Sequence, residues 1–224
     1  MATFAAAISA ARTLLNDANT DLGPKTWSDA DLLIYLNDAL AAASIVRPDL
    51  FETLSTHTCA EGAIQQLPTT VLRLSEVFCV VGGTTVTEVP RETLDRFSPT
   101  WMSDTADGDF PPVNWARHPR SNRTFFVSPP AEAGVVLRVQ WVAPPTRETD
   151  TSQSLPIPDA YFPALVDYVV GRAEMRDDEH ASDGRAQAMM GSFASLMGAG
   201  LQAKTAIDRE DGAVAGSGKV NQNG

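Results

Sequence analysis

Apolar residues recur at intervals of three and four near both ends of the chain and alternate with polar residues across its middle, which predicts helices flanking a β region. Phe4, Ile8, Ala11 and Leu15 step along one face of a first helix. The run from Phe4 to Ala11 is short and has no basic segment before it, so it is read as an amphipathic helix and not as a secretory signal. The second helix is the best specified element. In "TWSDADLLIYLNDALAAASIVRPDLF", Ser28 stands three residues before Asp31 as in a capping box, and Trp27 and Leu32 hold the staple positions. Leu32, Leu36, Ala39, Leu40 and Ala43 make its apolar stripe, the alanines permit close approach of another helix, and Pro48 turns Arg47 away from helical geometry.

Between Phe51 and Pro145 the period falls to two. "VFCVVGGTTVTEV" predicts two strands around a turn at Gly82 and Gly83, "RETLDRF" a short helix, and "RTFFVSPPAEAGVVLRVQWVA" a second hairpin. In that hairpin Val135, Leu137, Val139 and Trp141 share one face, and Arg138 and Gln140 the other. The polar, proline-rich "PPTRETDTSQSLPIPDA" leads back to helical structure. A third helix lies in "PDAYFPALVDYVVGRAEMRDDE", with Asp159 as its cap and Pro163 in its first turn. Phe162, Leu165, Val166, Val169 and Ala173 form its core stripe, while Asp167, Gly171, Glu174 and Asp178 form a narrow polar stripe expected to face water. A fourth helix is predicted from about Ser182 to Thr205, with Ala186, Met189, Met190, Phe193, Leu196 and Met197 as apolar positions. Glycines at 191, 198 and 200 weaken it.

These elements predict an α+β protein: a helical bundle built from N- and C-terminal helix pairs, with an inserted antiparallel β-sandwich or barrel-like module. The expected divisions are 1–50 and 147–207 for the helix pairs, 51–146 for the β module and 208–224 for a flexible tail.

With 224 residues and a 43% hydrophobic composition, the chain is long enough for one large or two small domains. No apolar run approaches the roughly 20 residues of a membrane-crossing helix. A net charge of −11 repels nucleic acid from the molecule as a whole, so the cluster Arg117, Arg120 and Arg123 reads as a solvated turn. Cys59 and Cys79 form no CxxC pair and read as small apolar packing residues. "AVAGSGKV" departs from a phosphate-binding loop at Ala213 and Val220. "SDTADGDF" fits an EF-hand loop poorly, and His57 with Cys59 supplies two of the four ligands that a closed zinc site needs. No catalytic, cofactor-binding or metal-binding residues are assigned. Two alternatives stay open: a monomeric acidic hydrolase whose carboxylates meet in the β region, and a receptor- or carbohydrate-binding tail component, for which Trp101, Trp115 and Trp141 would have to be exposed.

The ordered series "WSDADLLIYLNDAL", "RPDLF", "EVPRETLDRFSPTW", "FFVSPPA" and "PALVDYVVGRAEMRDDE" resembles the landmarks of head-to-tail adaptor (connector) proteins of tailed, especially short-tailed, bacteriophages. The resemblance spans about residues 10 to 195. It implies a structural virion protein without enzymatic activity, made in the host cytoplasm and sited at the head-tail junction. Its implied partners are copies of itself in a ring of about twelve, the portal protein and a tail nozzle or tail tube protein. Genome DNA is implied as passing cargo, for which an acidic channel wall is suited. The expected subunit interface is the second dry face of the third helix, Tyr161, Tyr168, Arg172 and Met175. The portal-binding segment is expected in the tail, at Asp208, Arg209, Val214, Lys219 and Val220.

Overall fold

The computed structural model describes residues 1–18, 26–103, 105–106, 110–175 and 183–216, with the side chains of 200, 201 and 203–216 outside that description. The chain is α+β and divides into two compact units, one formed by residues 1–50 and 145–224 and the other by 51–144.

The first unit holds α1 (Phe4–Leu14), α2 (Asp29–Val46), α4 (Phe162–Glu174) and α5 (Asp183–Gly216). The capping box forms as the sequence predicts: Asp31 N–H donates to Ser28 Oγ at 3.0 Å and Ser28 N–H to Asp31 Oδ2 at 3.2 Å. The predicted stripes of α1 and α2 are buried along their whole length. Helix α4 packs against α1, α2 and α5, which explains why it is so apolar. Asp159 does not cap it. A 3-10 turn, Asp159–Tyr161, precedes the helix, and Asp159 Oδ1 instead accepts the backbone N–H of Ala2 at 2.7 Å. Bonds from Phe4 N–H to Gln153 O, from Ala5 N–H to Thr151 O and from Leu155 N–H to Ala2 O fix the start of α1 to the connector before α4. The backbone of α5 continues to Gly216, well past the expected end at Thr205. Residues 208–216 are therefore helical where a flexible tail was expected, and the alanine-rich run "AKTAIDREDGAVA" has the propensity to extend the helix.

Two arginines hold this unit together from inside. Arg12 Nη1 donates to Asp17 at 2.6 Å, its Nη2 to Asp29 at 2.6 Å and to Trp27 O at 2.9 Å, joining α1 to the start of α2. Arg47, at the C-terminal cap of α2, forks onto both oxygens of Asp49 at 2.9 and 2.8 Å, donates to Tyr161 Oη at 2.9 Å and reaches Met197 O in α5 at 3.4 Å. Aspartate and tyrosine hydrogen bonding raise the Arg47 pKa further above its already high ordinary value.

Among its described residues the second unit is a two-sheet sandwich with one helix. β1 (Glu52–Thr58), β7 (Val136–Val142) and β3 (Arg73–Val80) form an antiparallel sheet in the order β1-β7-β3. β2 (Gly62–Gln66), β6 (Thr124–Ala131), β5 (Asn114–Arg117) and β4 (Thr87–Glu88) form the other, in the order β2-β6-β5-β4 with β4 parallel to β5. Both sheets feed one core that includes Val77, Trp115, Phe125, Val127, Leu137 and Val139. A smaller cluster beneath α3 (Arg91–Phe97) joins Leu94, Trp101 and Phe126.

The expected second hairpin is not formed. β6 and β7 are consecutive but lie in different sheets, each as an inner strand with a neighbour on both sides. As inner strands both have neighbours on either edge, and both supply side chains, Phe125 and Val127 from β6 and Leu137 and Val139 from β7, to the core between the sheets. The chain crosses between sheets at Gly134, whose φ of +92° a side chain would resist. The first expected hairpin is half right: Gly82 (φ +77°) makes the turn, but β4 then leaves β3 to pair with β5.

His57, in β1, is buried edge-on to Phe125 at 5.4 Å, and its Nε2 has no hydrogen-bond partner among the described residues. Burial holds its pKa below the ordinary 6.5. The unfolded chain therefore takes up this proton first as pH falls. This site leaves stability unchanged above about pH 6.5 and lowers it progressively below that, down to the folded-state pKa. Urea midpoints of the wild type are expected to fall more between about pH 7 and pH 5 than those of His57→Gln. Equal falls in both proteins would contradict the assignment.

Candidate functional site

The expected assembly residues sit at and around α4. Tyr161 lies in the turn before the helix, its hydroxyl engaged by Arg47 and its ring 5.1 Å from the guanidinium carbon. Tyr168 packs edge-on to Phe193 of α5 at 5.0 Å, and burial raises its phenol pKa. Both tyrosines thus spend much of their surface inside the unit. Arg172 is exposed and stands over the ring of Tyr35 in α2, 5.9 Å from the centroid, and Met175 is 48% exposed at the end of α4. Asp38, one turn along α2 from Tyr35, pairs with Arg147 at 2.6 Å. The structure therefore brings Arg172 together with Tyr35 but does not present all four expected residues outward.

The predicted polar stripe of α4 is the seat of α5, not a wet face. Glu174 is buried and accepts Arg185 Nη1 at 2.9 Å, and Arg185 also donates to Leu14 O in α1. Asp167 Oδ2 accepts Ser192 Oγ at 2.6 Å. Gly171 is the point of closest approach: a Cβ there would lie 3.1 Å from Met190 Cγ and 3.3 Å from the Ala186 carbonyl oxygen. Asp178 lies outside the described residues. Polar side chains can line a helix interface when their partners arrive from the other helix, and here Arg185 and Ser192 do so.

The sequence pattern missed the outer face of α2. Ile34 is 50% exposed and Ile45 76%, with Val46 beside it. Their signal was present, since all three fall off the stripe of Leu32, Leu36, Ala39, Leu40 and Ala43. Of the tail residues, Asp208, Arg209 and Val214 lie on the helical backbone of α5, and Lys219 and Val220 lie outside the described residues.

Three carboxylates of the β unit are tied to structural partners. Glu52 accepts Ser75 Oγ at 3.0 Å and Gln140 Nε2 at 2.6 Å, Glu88 pairs with Arg117 at 2.7 Å, and Asp95 accepts Trp101 Nε1 at 2.9 Å. A cavity of about 420 Å³ at one end of the sandwich has Glu52 as the single carboxylate among its described lining residues. The convergent pair that a glycosidase needs does not occur there. Trp101 and Trp115 are buried and Trp141 is half-buried against the core, so they do not form a sugar-stacking platform. Cys59 is buried as well, and burial pushes its thiol pKa up to about 12. Since the thiolate is the nucleophile, Cys59 is expected to resist alkylation by iodoacetamide in the folded protein and to react once denatured. Rapid native labelling at Cys59, read by peptide mass mapping, would refute that. No group of three or more potential metal ligands occurs among the described residues. Asp104 and residues 107–109 of the acidic loop, and 217–220 of the glycine-rich segment, lie outside the description.

Large apolar side chains are exposed on both units, among them Ile34, Ile45 and Met175 on the helical one and Phe97 and Phe110 on the other. A family model described as SU10 adaptor protein matches residues 2–217, which takes in both units. The chain belongs to the SU10 adaptor protein family. No curated protein matches it significantly. Membership in this adaptor family makes it a bacteriophage head-tail adaptor and a structural component of the virion, associated with other phage head and tail proteins. The adaptor has no helix among its described residues that is long and apolar enough to cross a membrane.

Proposed function

We propose that the adaptor closes into a ring of about twelve copies that joins the portal to the tail and lines the passage of the genome. The observation that carries this reading is the family match across residues 2–217. The exposed apolar residues of the helical unit support it, because Ile34, Ile45 and Met175 are the kind of side chain that an interface buries. In this reading a head-to-tail contact uses two different surfaces of each copy: the α4 side, with Tyr161, Tyr168, Arg172 and Met175, and the outer face of α2. The portal is engaged by the C-terminal part, with Asp208, Arg209, Val214, Lys219 and Val220. The net charge of −11 keeps DNA from adhering as it passes.

Sedimentation of the full chain, alone and mixed with the portal, tests this. The adaptor is expected to join the portal as a ring, and a chain that stays monomeric and never co-sediments with it would overturn the proposal. Met175→Glu changes an exposed side chain, so it is expected to leave the melting temperature within about 2 °C of wild type while weakening ring formation severalfold. Removing residues 208–224 is expected to reduce portal binding and leave the rest folded.

A further inference from the structure

The cavity of about 420 Å³ in the β unit has a chemistry that neither a hydrolase nor the ring explains. Among its described lining residues the one carboxylate, Glu52, is already satisfied by Ser75 and Gln140. Arg117 is spent as well, on Glu88 and on the carbonyls of Leu74 and Ser75. What is left over donates. Arg73 is 46% exposed, and its ion pair with Glu52 is long, at 3.9 Å. His118 Nδ1 accepts the Arg120 N–H at 3.1 Å, so in the neutral ring the proton sits on Nε2, for which the described residues offer no acceptor. Trp115, fully buried in the cavity wall, carries an indole N–H that no described group accepts.

A cavity whose unspent groups are donors calls for an acceptor, and the exposed guanidinium of Arg73, paired with Glu52 only at 3.9 Å, favours one that carries negative charge. We propose that it binds the carboxylate side chain of an acidic polypeptide segment presented by a partner protein, held by the guanidinium fork of Arg73 and the Nε2–H of His118. A guanidinium whose existing ion pair is as long as 3.9 Å can fork onto one further carboxylate. A nucleic-acid backbone needs a track of several free cations, and here Glu88 neutralises Arg117 and Glu52 stands inside the cavity. The inference does not depend on ring closure, because every group in it belongs to one copy.

The test is fluorescence anisotropy of the full-length protein with a labelled glutamate-rich peptide and, in parallel, a labelled single-stranded oligonucleotide. Saturable peptide binding is expected, about tenfold weaker in Arg73→Gln. His118→Ala is expected to weaken it too, giving a second route if Arg73→Gln melts early. Arg138→Gln, which removes the same charge from an exposed position outside the cavity, is expected to bind as wild type does. No peptide binding, equal affinity in Arg73→Gln and His118→Ala, or an equal loss in Arg138→Gln would each overturn the proposal. An oligonucleotide that binds more tightly than the peptide and depends on Arg73 would overturn it in favour of a phosphate site.

Discussion

Arg47→Ala is expected to lower the unfolding free energy by about 3–5 kcal/mol, the range for removing one partner of a buried ion pair. The Arg47 side chain is 4% exposed, and its counter-ion Asp49 is also largely buried, so the alanine variant strips both charge-assisted bonds from a carboxylate that water reaches poorly. The same change removes the donors to Tyr161 Oη and to Met197 O, and so loosens contacts with the turn before α4 and with α5. Tyr161→Phe, which deletes a single acceptor, is expected to cost only about 1 kcal/mol. Urea titrations followed by far-ultraviolet circular dichroism give both values. An alanine variant within about 1 kcal/mol of wild type would show that water takes over the role of the guanidinium.

Phe125→Ala is expected to cost about 3–5 kcal/mol, as large-to-small changes at buried aromatics do. Phe125 is fully buried in β6 and meets two rings edge-on, His57 at 5.4 Å and Trp115 at 6.5 Å. Its removal opens space between the two sheets' side chains that the remaining core, Val77, Val127 and Leu137 among it, fills only in part. It also gives water a path toward His57 Nε2, so the acid sensitivity assigned to that imidazole is expected to shrink in the variant. Tryptophan fluorescence, to which Trp115 contributes, together with urea midpoints at two pH values reads both effects. A variant as stable as wild type, or one with undiminished acid sensitivity, would contradict this account of the core.

Local signals were legible in the sequence, and choices among long-range partners were not. The capping box at Ser28 and Asp31, the stop at Pro48, the short helix at Arg91–Phe97 and the turn at Gly82 each depend on residues a few positions apart, and each appears as expected. The pairing of β6 and β7 depended on competition. Adjacent apolar strands can pair with each other or take the centre of separate sheets, and periodicity is the same in both cases. The polar stripe of α4 misled for a similar reason. Asp167, Gly171 and Glu174 look solvent-facing until Ser192 and Arg185 arrive from another helix and α5 is seen to need the space of the side chain that Gly171 lacks. At the candidate interface, Arg172 and Met175 could be picked out from α4 alone. The inward roles of Tyr161 and Tyr168 could not, because their partners Arg47 and Phe193 are distant in sequence. The donor-rich cavity joins Arg73 to His118 across the same kind of gap.

The stitching of the chain's start to residues 150–159 sets an order of events during synthesis. α1 and α2 are made first, yet α4, the helix that buries their apolar stripes, emerges only after the whole β unit has been translated. At about 5–20 residues per second, the roughly one hundred intervening residues keep α1 and α2 waiting about 5–20 s. The β unit, continuous in sequence, has all its own strands available before the helical unit has its central member. During that interval Ile34, Ile45 and the core leucines of α2 are exposed together, which makes the nascent helix pair the stage at which a chaperone, or a neighbouring nascent adaptor, has most apolar surface to hold.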